Sequence, residues 1–568
     1  LPWEIHSAKL TAIKTTESFE EIHKVKWVPY VKGAAGKIWI EGLDDVINWK
    51  DHGFEVKVNV VRKFDWSGLN WKICNSNFYF MPGISYSTIG ANFSARARQY
   101  RSIFDVSGSS VFPNNIANTT CLMNSQLAQT VLSSLNPTVN FQVVDVNRLP
   151  LFPIESADEI FTQLDLTFTE HEAARETSVE FREPGTSGWN YAQAWAQQAV
   201  DRPSGTPLPD WNPDYEQPPA TNWVSYALGI ALGRFGANGE GILTETPKTA
   251  LPHGILYLSA YSGDRPESPD SLTHPACQPL TTAWQQHGSS ISPVKPLRDW
   301  LRLNFFKDIH VGMYEQRPIY FPLSSANKNF VAYISIHRWT DTTLSTLLAE
   351  YLLPELRQLE GELSDLMDSR TQGDKKQQSQ AEDRYSKIFQ LATELKTFTD
   401  LVQQCAEQGA PPAKPSDTPR ETDARFSLDL DDGVMVNSAA LWPLLEPQWT
   451  KPKTWWSELC TAQGKKDYDW SHLAARYFPQ RVAAKCQIDP SLAVAHGCFW
   501  QYHPAKAYEW ELRLQAEIAG DFSIDELDSD RLRQQFEGDY PDKVKELQEK
   551  EAKRRDKKRK KADDAEDL

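Results

Sequence analysis

The stretch SYSTIGANFSARARQYRSIFDVSGSSVFP (85–113) and the later segment LNPTVNFQVVDVNRLPLFP (135–153) organise the first part of the chain. The first segment places three arginines among Ser, Thr, Asn and Tyr. Residues 121–135 carry apolar side chains at helical spacing, and the Asn-Pro step that follows should end that helix. Residues 140–146 then alternate, which predicts a strand. This combination favours contact with a sugar–phosphate backbone and base edges, and the alternative is an ordinary solvated loop.

Length and composition indicate a globular protein of several domains. The 568 residues suffice for three or four domains, and 40% hydrophobic with 24% charged residues is ordinary for a globular chain. No run of about 18 apolar residues occurs, so no membrane span is predicted. The seven cysteines are widely spaced without a CxxC pair, which favours reduced thiols and a cytoplasmic location. The opening LPWEIHSAKL is expected to be the interior of a longer polypeptide.

The formal net charge is −16, which argues against nucleic-acid binding by the surface as a whole. A local basic patch is compatible with this value, because the field of a charge decays over about 10 Å at moderate salt. Any nucleic-acid surface must therefore come from a local cluster of residues.

The sequence predicts a multidomain α+β fold. A mixed α/β recognition domain should be followed by an α+β unit, a helical hairpin and a Trp-rich, mostly helical C-terminal domain. The predicted segments are a recognition domain (1–155), an acidic and Pro-rich connector (156–220), an α+β domain (221–340), an antiparallel helical hairpin (341–410), a linker (411–427), a Trp-rich domain (428–520) and a charged tail (521–568).

Local patterns predict individual elements. Runs 37–40, 54–61 and 77–81 indicate short strands, while runs 254–258 and 330–336 indicate buried strands. Leucines at a spacing of three to four residues over 342–367, and a similar pattern over 385–405, predict the two helices of the hairpin. Residues 541–568 are expected to be a charged, helix-prone tail that is solvated and partly disordered.

Seven segments occur in one order and carry a family resemblance. They are FDVSGSSVFP (104–113), LMNSQLAQTVLSSLNPTVNFQVVDVNRLPL (122–151), WVSYALGIALGRFG (223–236), LPHGILYL (251–258), LRLNFFKDIHVGMYEQRPIYFPLSS (301–325), YISIHR (333–338) and LDLDDGVMVN (428–437). Together they resemble the target-recognition and C-terminal regions of large adenine-specific DNA methyltransferases. The nearest group is PglX of the BREX phage-defence systems, with relatives in type IIG restriction–modification and DISARM systems.

The resemblance implies S-adenosylmethionine as methyl donor, double-stranded DNA as substrate and other phage-defence proteins as partners. It also implies a catalytic domain upstream of Leu1, so no catalytic residue is assigned here. The two candidate motifs in this sequence are weak: Asn212-Pro213-Asp214-Tyr215 lacks a preceding strand, and GANGEG (236–241) follows an apolar helix. No metal is predicted, because Cys486, His496, Cys498 and His503 fit no standard zinc spacing.

The candidate DNA-binding residues lie within or just after the opening stretch. Arg96, Arg98 and Arg101 can contact phosphate or guanine, and Asn92 and Gln142 have the amide geometry for adenine. The remaining candidates supply hydroxyl groups for phosphate oxygens, a close backbone approach at glycine, or a cation after the predicted strand: Tyr86, Ser87, Thr88, Ser94, Ser107, Gly108, Ser109, Ser110 and Arg148.

Two other interpretations stay open. The acidic balance, the long hairpin and the Trp-rich domain also suit a non-catalytic scaffold of a multi-subunit defence complex. A self-sufficient enzyme with an unfamiliar site is the third. A recognition module would footprint a specific DNA sequence, whereas a scaffold would bind partner proteins without DNA.

Overall fold

The computed structural model describes residues 1–5, 25–34, 36–136, 138, 140–234, 250–261, 271–314, 317–414, 416, 418–428, 434–449, 454–461 and 467–566. The chain divides into two compact units. The first unit comprises Leu1–Asp51, Asn75–Pro419 and Asp423–Glu458, and the second comprises His52–Cys74, Arg420–Thr422 and Leu459–Leu568. Segment 52–74, predicted as part of the first domain, thus belongs with the C-terminal residues.

The strands of the first unit form three small sheets. In the described residues they are β1 (Trp27–Val31), β2 (Trp39–Glu41), β3 (Val46–Asn48), β4 (Ile84–Tyr86), β5 (Ala95–Arg98), β6 (Ile103–Phe104), β7 (Ser110–Val111), β8 (Ile255–Ser259), β9 (Tyr320–Ser324) and β10 (Phe330–Ser335). Their orders are β3-β1-β6, β2-β5-β4-β7 and β8-β10-β9. Every residue of β8, β9 and β10 is buried, as runs 254–258 and 330–336 predict for the first and the last of these strands.

Helices make up most of the remaining structure. In chain order they are α1 (Lys50–Lys72), α2 (Ile116–Asn124), α3 (Gln126–Leu135), α4 (Val143–Val146), α5 (Ala157–Ala174), α6 (Trp189–Val200), α7 (Ala220–Ala231), α8 (Gln278–Ile291), α9 (Leu297–Trp300), α10 (Val311–Met313), α11 (Thr343–Leu347), α12 (Leu353–Ser369), α13 (Lys375–Gln408), α14 (Val434–Ala440), α15 (Trp442–Leu445), α16 (Thr454–Thr461), α17 (Asp467–Tyr477), α18 (Pro479–Ile488), α19 (Pro490–Ala495), α20 (Phe499–Tyr502), α21 (Pro504–Ile518), α22 (Ser529–Asp539) and α23 (Pro541–Glu566). Segments Leu301–His310 and Leu348–Leu352 are wound as π-helix. The predicted α+β class is confirmed.

The four-stranded sheet is the frame of the candidate site. β5 pairs in parallel with β2, with Trp39 opposite Arg96, and antiparallel with β4, with Tyr86 opposite Ala95. One apolar cluster joins β2 to α5 and α6, and a second joins β4 and β5 to α2 and α3. Because helices cover this sheet, side chains that point away from its edges are expected to be buried.

Helices α12 and α13 form the hairpin that the leucine spacing predicts. Asp374 caps α13 by accepting hydrogen bonds from Lys376 N and Gln377 N, at 2.9 and 2.8 Å. Pro354 lies at the start of α12, directly after the π-helical segment Leu348–Leu352, so the proline coincides with the change from π-helical to α-helical winding.

The second unit is built around α1. Phe54 lies 5.9 Å from Phe499 and 5.8 Å from Trp510, measured between ring centroids. Lys57, buried on the same helix, forms an ion pair with Glu517. The tryptophans of this unit therefore act mainly as packing residues.

Three local predictions are wrong. Residues 54–61 lie in α1, because Phe54 packs this helix against aromatic rings despite the preference of its valines for strands. Residues 77–81 form a tight turn and an irregular segment. Residues 143–146 form α4 instead of a strand. Residues 541–566 form α23, as their helix-prone sequence predicts, and residues 556–560 are exposed while Leu547 is buried. Among the described residues, no helix has the length and apolar character needed to cross a bilayer.

Candidate nucleic-acid interface

Arg96 lies in the interior and not on a DNA-facing surface. Its side chain is 0% exposed and its Nε forms an ion pair with Glu41, which is also buried. Nη1 donates to Ala34 O at 3.2 Å and to Ser87 Oγ at 3.0 Å, and Nη2 donates to Lys32 O at 3.3 Å. The guanidinium therefore donates its hydrogen bonds within the chain itself. The predicted phosphate or guanine contact does not fit this position.

Arg98 is also buried, but it has no carboxylate partner within ion-pair distance in the described part of the chain. Nη2 donates to Met81 O at 3.0 Å, and the guanidinium lies 5.4 Å from the Phe104 ring and 5.2 Å from the Phe112 ring. Burial lowers the pKa of Arg98 to about 10. Arg98 thus packs between aromatic rings. As with Arg96, the predicted DNA contact does not fit this buried position.

Three of the predicted phosphate-binding hydroxyl groups are buried as well. Tyr86 and Ser94 lie beside the apolar cluster on α2 and α3. Ser87 accepts hydrogen bonds from Arg96 and from Ala34 N at 3.2 Å. Removal from solvent leaves none of these three groups free to meet a phosphate oxygen in this conformation.

Two exposed segments of the stretch lie side by side, and we call them the loop surface: the loop 88–92 and residues 142–148, which include α4. Phe141 N donates to Thr88 O at 2.8 Å, and Ile89 bridges Asn140. Asn92, Gln142 and Arg148 are exposed, and Thr88 is half-buried. The structure therefore brings together the two predicted adenine-reading amides and one predicted cation.

The loop surface is held in place by side chains that the sequence alone did not identify. Asn124 accepts from Ala95 N at 3.0 Å and donates to Ala95 O at 2.9 Å. Gln129 makes the same pair of hydrogen bonds to the backbone of Phe93. Asn124 is buried on α2 and Gln129 is half-buried on α3, and a buried amide of this kind is nearly always hydrogen-bonded.

An aromatic pair joins the two segments from below. The rings of Phe93 and Phe141 are buried and meet edge to face, with centroids 5.1 Å apart. Each ring is followed or preceded by one of the exposed amides, because Asn92 precedes Phe93 and Gln142 follows Phe141. The packing of these two rings therefore fixes the separation of the two amides.

Exposed apolar side chains accompany the amides. Ile89, Val143 and Val144 are 65%, 55% and 52% exposed. A surface that combines amides with exposed β-branched groups offers both hydrogen bonds to adenine edges and apolar contact to thymine methyl groups. Single exposed apolar residues are ordinary, but three on adjacent segments are typical of a binding surface.

Residues 106–110, which are mostly small, fold as a turn against the end of β1. Asp105 Oδ1 accepts from Ser107 N and Gly108 N, both at 2.9 Å. A Cβ at Gly108 would lie 2.9 Å from the carbonyl carbon of Lys32, so this glycine permits a close approach within the chain and not the predicted approach to DNA. Ser109 is half-buried and its carbonyl accepts from Tyr86 N.

Arg101 is separated from the loop surface. It follows the end of β5 that pairs with Ile84, whereas Asn92 precedes the end that pairs with Tyr86. Arg101 is half-buried, and whether it contacts DNA stays a prediction.

Two sequence motifs are candidates for the methyl-transfer site. The segment Asn212-Pro213-Asp214-Tyr215 is irregular and mostly exposed, with no strand before it. The glycine-rich segment 236–241 lies outside the described residues. In the part of the chain that is described, no three His, Cys, Asp or Glu side chains are grouped to hold a metal ion. No methyl-transfer step is assigned to these residues.

Taken together, the fold and the loop surface define an α+β polypeptide with an amide-bearing, partly apolar surface on a rigid helical support. Two curated proteins are similar to it in sequence over most of its length. It is 24% identical over 516 residues to the adenine-specific methyltransferase PglX of Lacticaseibacillus casei (strain Zhang), which covers 77% of this chain. It is 24% identical over 523 residues to the adenine-specific methyltransferase BrxX of Escherichia coli O9:H4 (strain HS), which covers 75% of this chain.

These comparisons confirm the predicted resemblance. The matched region is 40% of the length of the first relative and 41% of the second, so the chain spans about two fifths of each. No family model matches the chain.

Proposed function

We propose that this chain is the DNA-recognition and C-terminal portion of an adenine-specific DNA methyltransferase of a BREX-type phage-defence system. The names of the two relatives and the extent of the match support the enzyme class. S-adenosylmethionine would be the methyl donor of the whole enzyme, and double-stranded DNA its substrate. Its other partners would be proteins of the same defence system.

The observation that carries the recognition role is the loop surface. Two exposed amides, Asn92 and Gln142, are placed on adjacent segments by the buried Phe93–Phe141 pair. An asparagine or glutamine amide can bind adenine N6 and N7 together in the major groove, and each such contact discriminates by about 1–3 kcal/mol. Arg148, exposed on the same surface, would contribute a phosphate or guanine contact.

The test is selection of duplexes from a random library by the full chain, followed by affinity measurements. Asn92→Ala with Gln142→Ala should lower the preference for the selected site over a scrambled site by roughly tenfold or more, since two base contacts are lost. The matched control is Gln380→Ala with Gln390→Ala, which removes two exposed amides from α13.

A parent chain that selects no sequence would overturn the recognition role. An unchanged preference in the Asn92 and Gln142 double variant would show that the recognition residues lie elsewhere. A loss of binding in the control variant would show that the effect is not specific to the loop surface.

A second candidate function rests on the hairpin. Side chains near its turn are largely exposed, and Met367 of α12 and Phe389 of α13 are 59% and 53% exposed. A largely exposed helical pair that carries apolar side chains offers a surface for docking of another protein. Capture of a defence-system protein by the chain without DNA, and its loss on Met367→Lys with Phe389→Lys, would support this scaffold role.

A further inference from the structure

The last helix of the second unit is fixed along its first half. Leu547 of α23 is 5% exposed, and Gln548 donates to Tyr508 Oη at 2.9 Å. Lys550 forms an ion pair with Glu509 at 2.7 Å. These contacts with α21 order the helix before any ligand binds, so a ligand of its second half would not bear the entropic cost of folding it.

The second half of α23 is basic and exposed. Segment KRRDKKRKK (553–561) holds eight cations and one carboxylate, and residues 556–560 are all exposed. Arg554 and Arg555 pair with Glu551. No described carboxylate lies within ion-pair distance of Lys553, Lys557 or Lys560, which we call the lysine stripe.

The spacing of the lysine stripe places its three ammonium groups on one side of the helix. Residues at i, i+4 and i+7 fall within about 60° around an α-helix, and they span roughly 10 Å along its axis. A row of cations of this length matches several phosphates of a nucleic-acid backbone, since duplex DNA carries about one charge per 1.7 Å of its axis.

We propose that the lysine stripe binds the phosphate backbone of duplex DNA without reading its sequence. It would form a second DNA surface, in the second unit, that supplies affinity while the loop surface supplies discrimination. The choice of duplex DNA as the polyanion rests on the proposed function.

Two observations favour this ligand over other anionic surfaces. Residues 556–560 are Asp, Lys, Lys, Arg and Lys, so this part of the helix exposes no apolar side chain to enter a lipid surface. The chain as a whole carries a net charge of −16, so a local cationic stripe is where a polyanion could approach with the least repulsion.

The experiment compares Lys553→Gln/Lys557→Gln/Lys560→Gln with the parent chain, using a duplex of random sequence at several salt concentrations. The control Lys375→Gln/Lys376→Gln/Lys387→Gln removes three exposed lysines from α13. The stripe variant should bind at least tenfold more weakly at low salt. Its slope of log affinity against log salt should fall by up to about 2.7, at about 0.9 for each lost phosphate contact. Circular dichroism should show unchanged helicity.

Equal affinity and equal salt slope in the stripe variant and the parent would overturn the proposal. So would a loss confined to one duplex sequence, or equal losses in the α13 control. Binding to phosphatidylserine vesicles that falls in the stripe variant, with no change for DNA, would assign the stripe to a membrane instead.

This test separates the stripe from the proposed recognition role. A parent chain that binds random duplex through the stripe but selects no sequence would leave the stripe proposal standing and overturn the recognition role. A parent chain that selects a sequence, with affinity independent of the stripe, would do the reverse.

Discussion

Replacement of Arg96 by methionine distinguishes a buried structural arginine from a DNA-contacting one. The substitution keeps much of the aliphatic volume and removes the charge that faces Glu41. The side chain of Arg96 is 0% exposed and that of Glu41 is 6% exposed. The Glu41 carboxylate would therefore be left buried without its ion-pair partner. Breaking a buried ion pair from one side costs about 3–5 kcal/mol. The backbone acceptors Ala34 O and Lys32 O would lose their donor as well.

The stability change also has a predicted pH dependence. Burial raises the pKa of Glu41, and the charge of Arg96 opposes that rise. Without Arg96, the pKa of Glu41 in the folded state should rise further. A carboxyl group whose folded pKa exceeds its unfolded pKa stabilises the fold at low pH, and this contribution is lost as pH rises through the folded pKa. The deficit of the variant should therefore be larger at about pH 8 than at about pH 5.

The assay is urea unfolding of the parent, of Arg96→Met and of Glu41→Leu/Arg96→Met, combined with DNA affinity. The double variant should recover part of the loss, because a buried ion pair can be exchanged for apolar residues at little cost. Arg182→Met is the matched control, since it removes an exposed arginine of the same unit outside the loop surface and should change stability by less than about 0.5 kcal/mol. An Arg96→Met variant of parental stability with weaker, less salt-dependent DNA binding would refute the structural role.

Three further predictions concern the supports of the site and the interior. Asn124→Leu should destabilise the chain by about 2–3 kcal/mol in urea unfolding, because both backbone groups of Ala95 lose their hydrogen bonds. Gly108→Ala should cost about 1–3 kcal/mol by the same assay, because its Cβ would press against the backbone of Lys32. Burial holds the pKa of His310 well below its usual value of about 6.5, so stability should fall as pH drops below that value. In thermal melts, the drop in melting temperature from about pH 7.5 to about pH 5.5 should be smaller for His310→Phe than for the parent.

The sequence predicted the elements whose pattern and environment agree. The leucine spacing of α12 and α13 and the continuous apolar runs at β8 and β10 each point to one structure, because local propensity and burial favour the same answer. Residues 54–61 were misassigned because their valines favour a strand locally, whereas aromatic packing within the second unit makes them helical. The order of seven sequence segments sufficed to predict the resemblance to adenine-specific methyltransferases. That resemblance does not depend on the correct assignment of any one helix or strand.

The fate of the arginines could not be predicted from their own segment. The local sequence ARAR (95–98) is equally compatible with exposed and with buried arginines. What decides its burial is a parallel pairing with β2, 55 residues away, that places Glu41 beside Arg96. A hydrogen-bonded ion pair in this position favours one arrangement of β2 and β5 over alternatives that would leave the charges unpaired. The planar fork of arginine meets one carboxylate, one hydroxyl group and two carbonyl oxygens at once, which a lysine ammonium could not do with the same geometry. Arg96, whose charge first suggested DNA contact, therefore holds together the sheet that supports the loop surface.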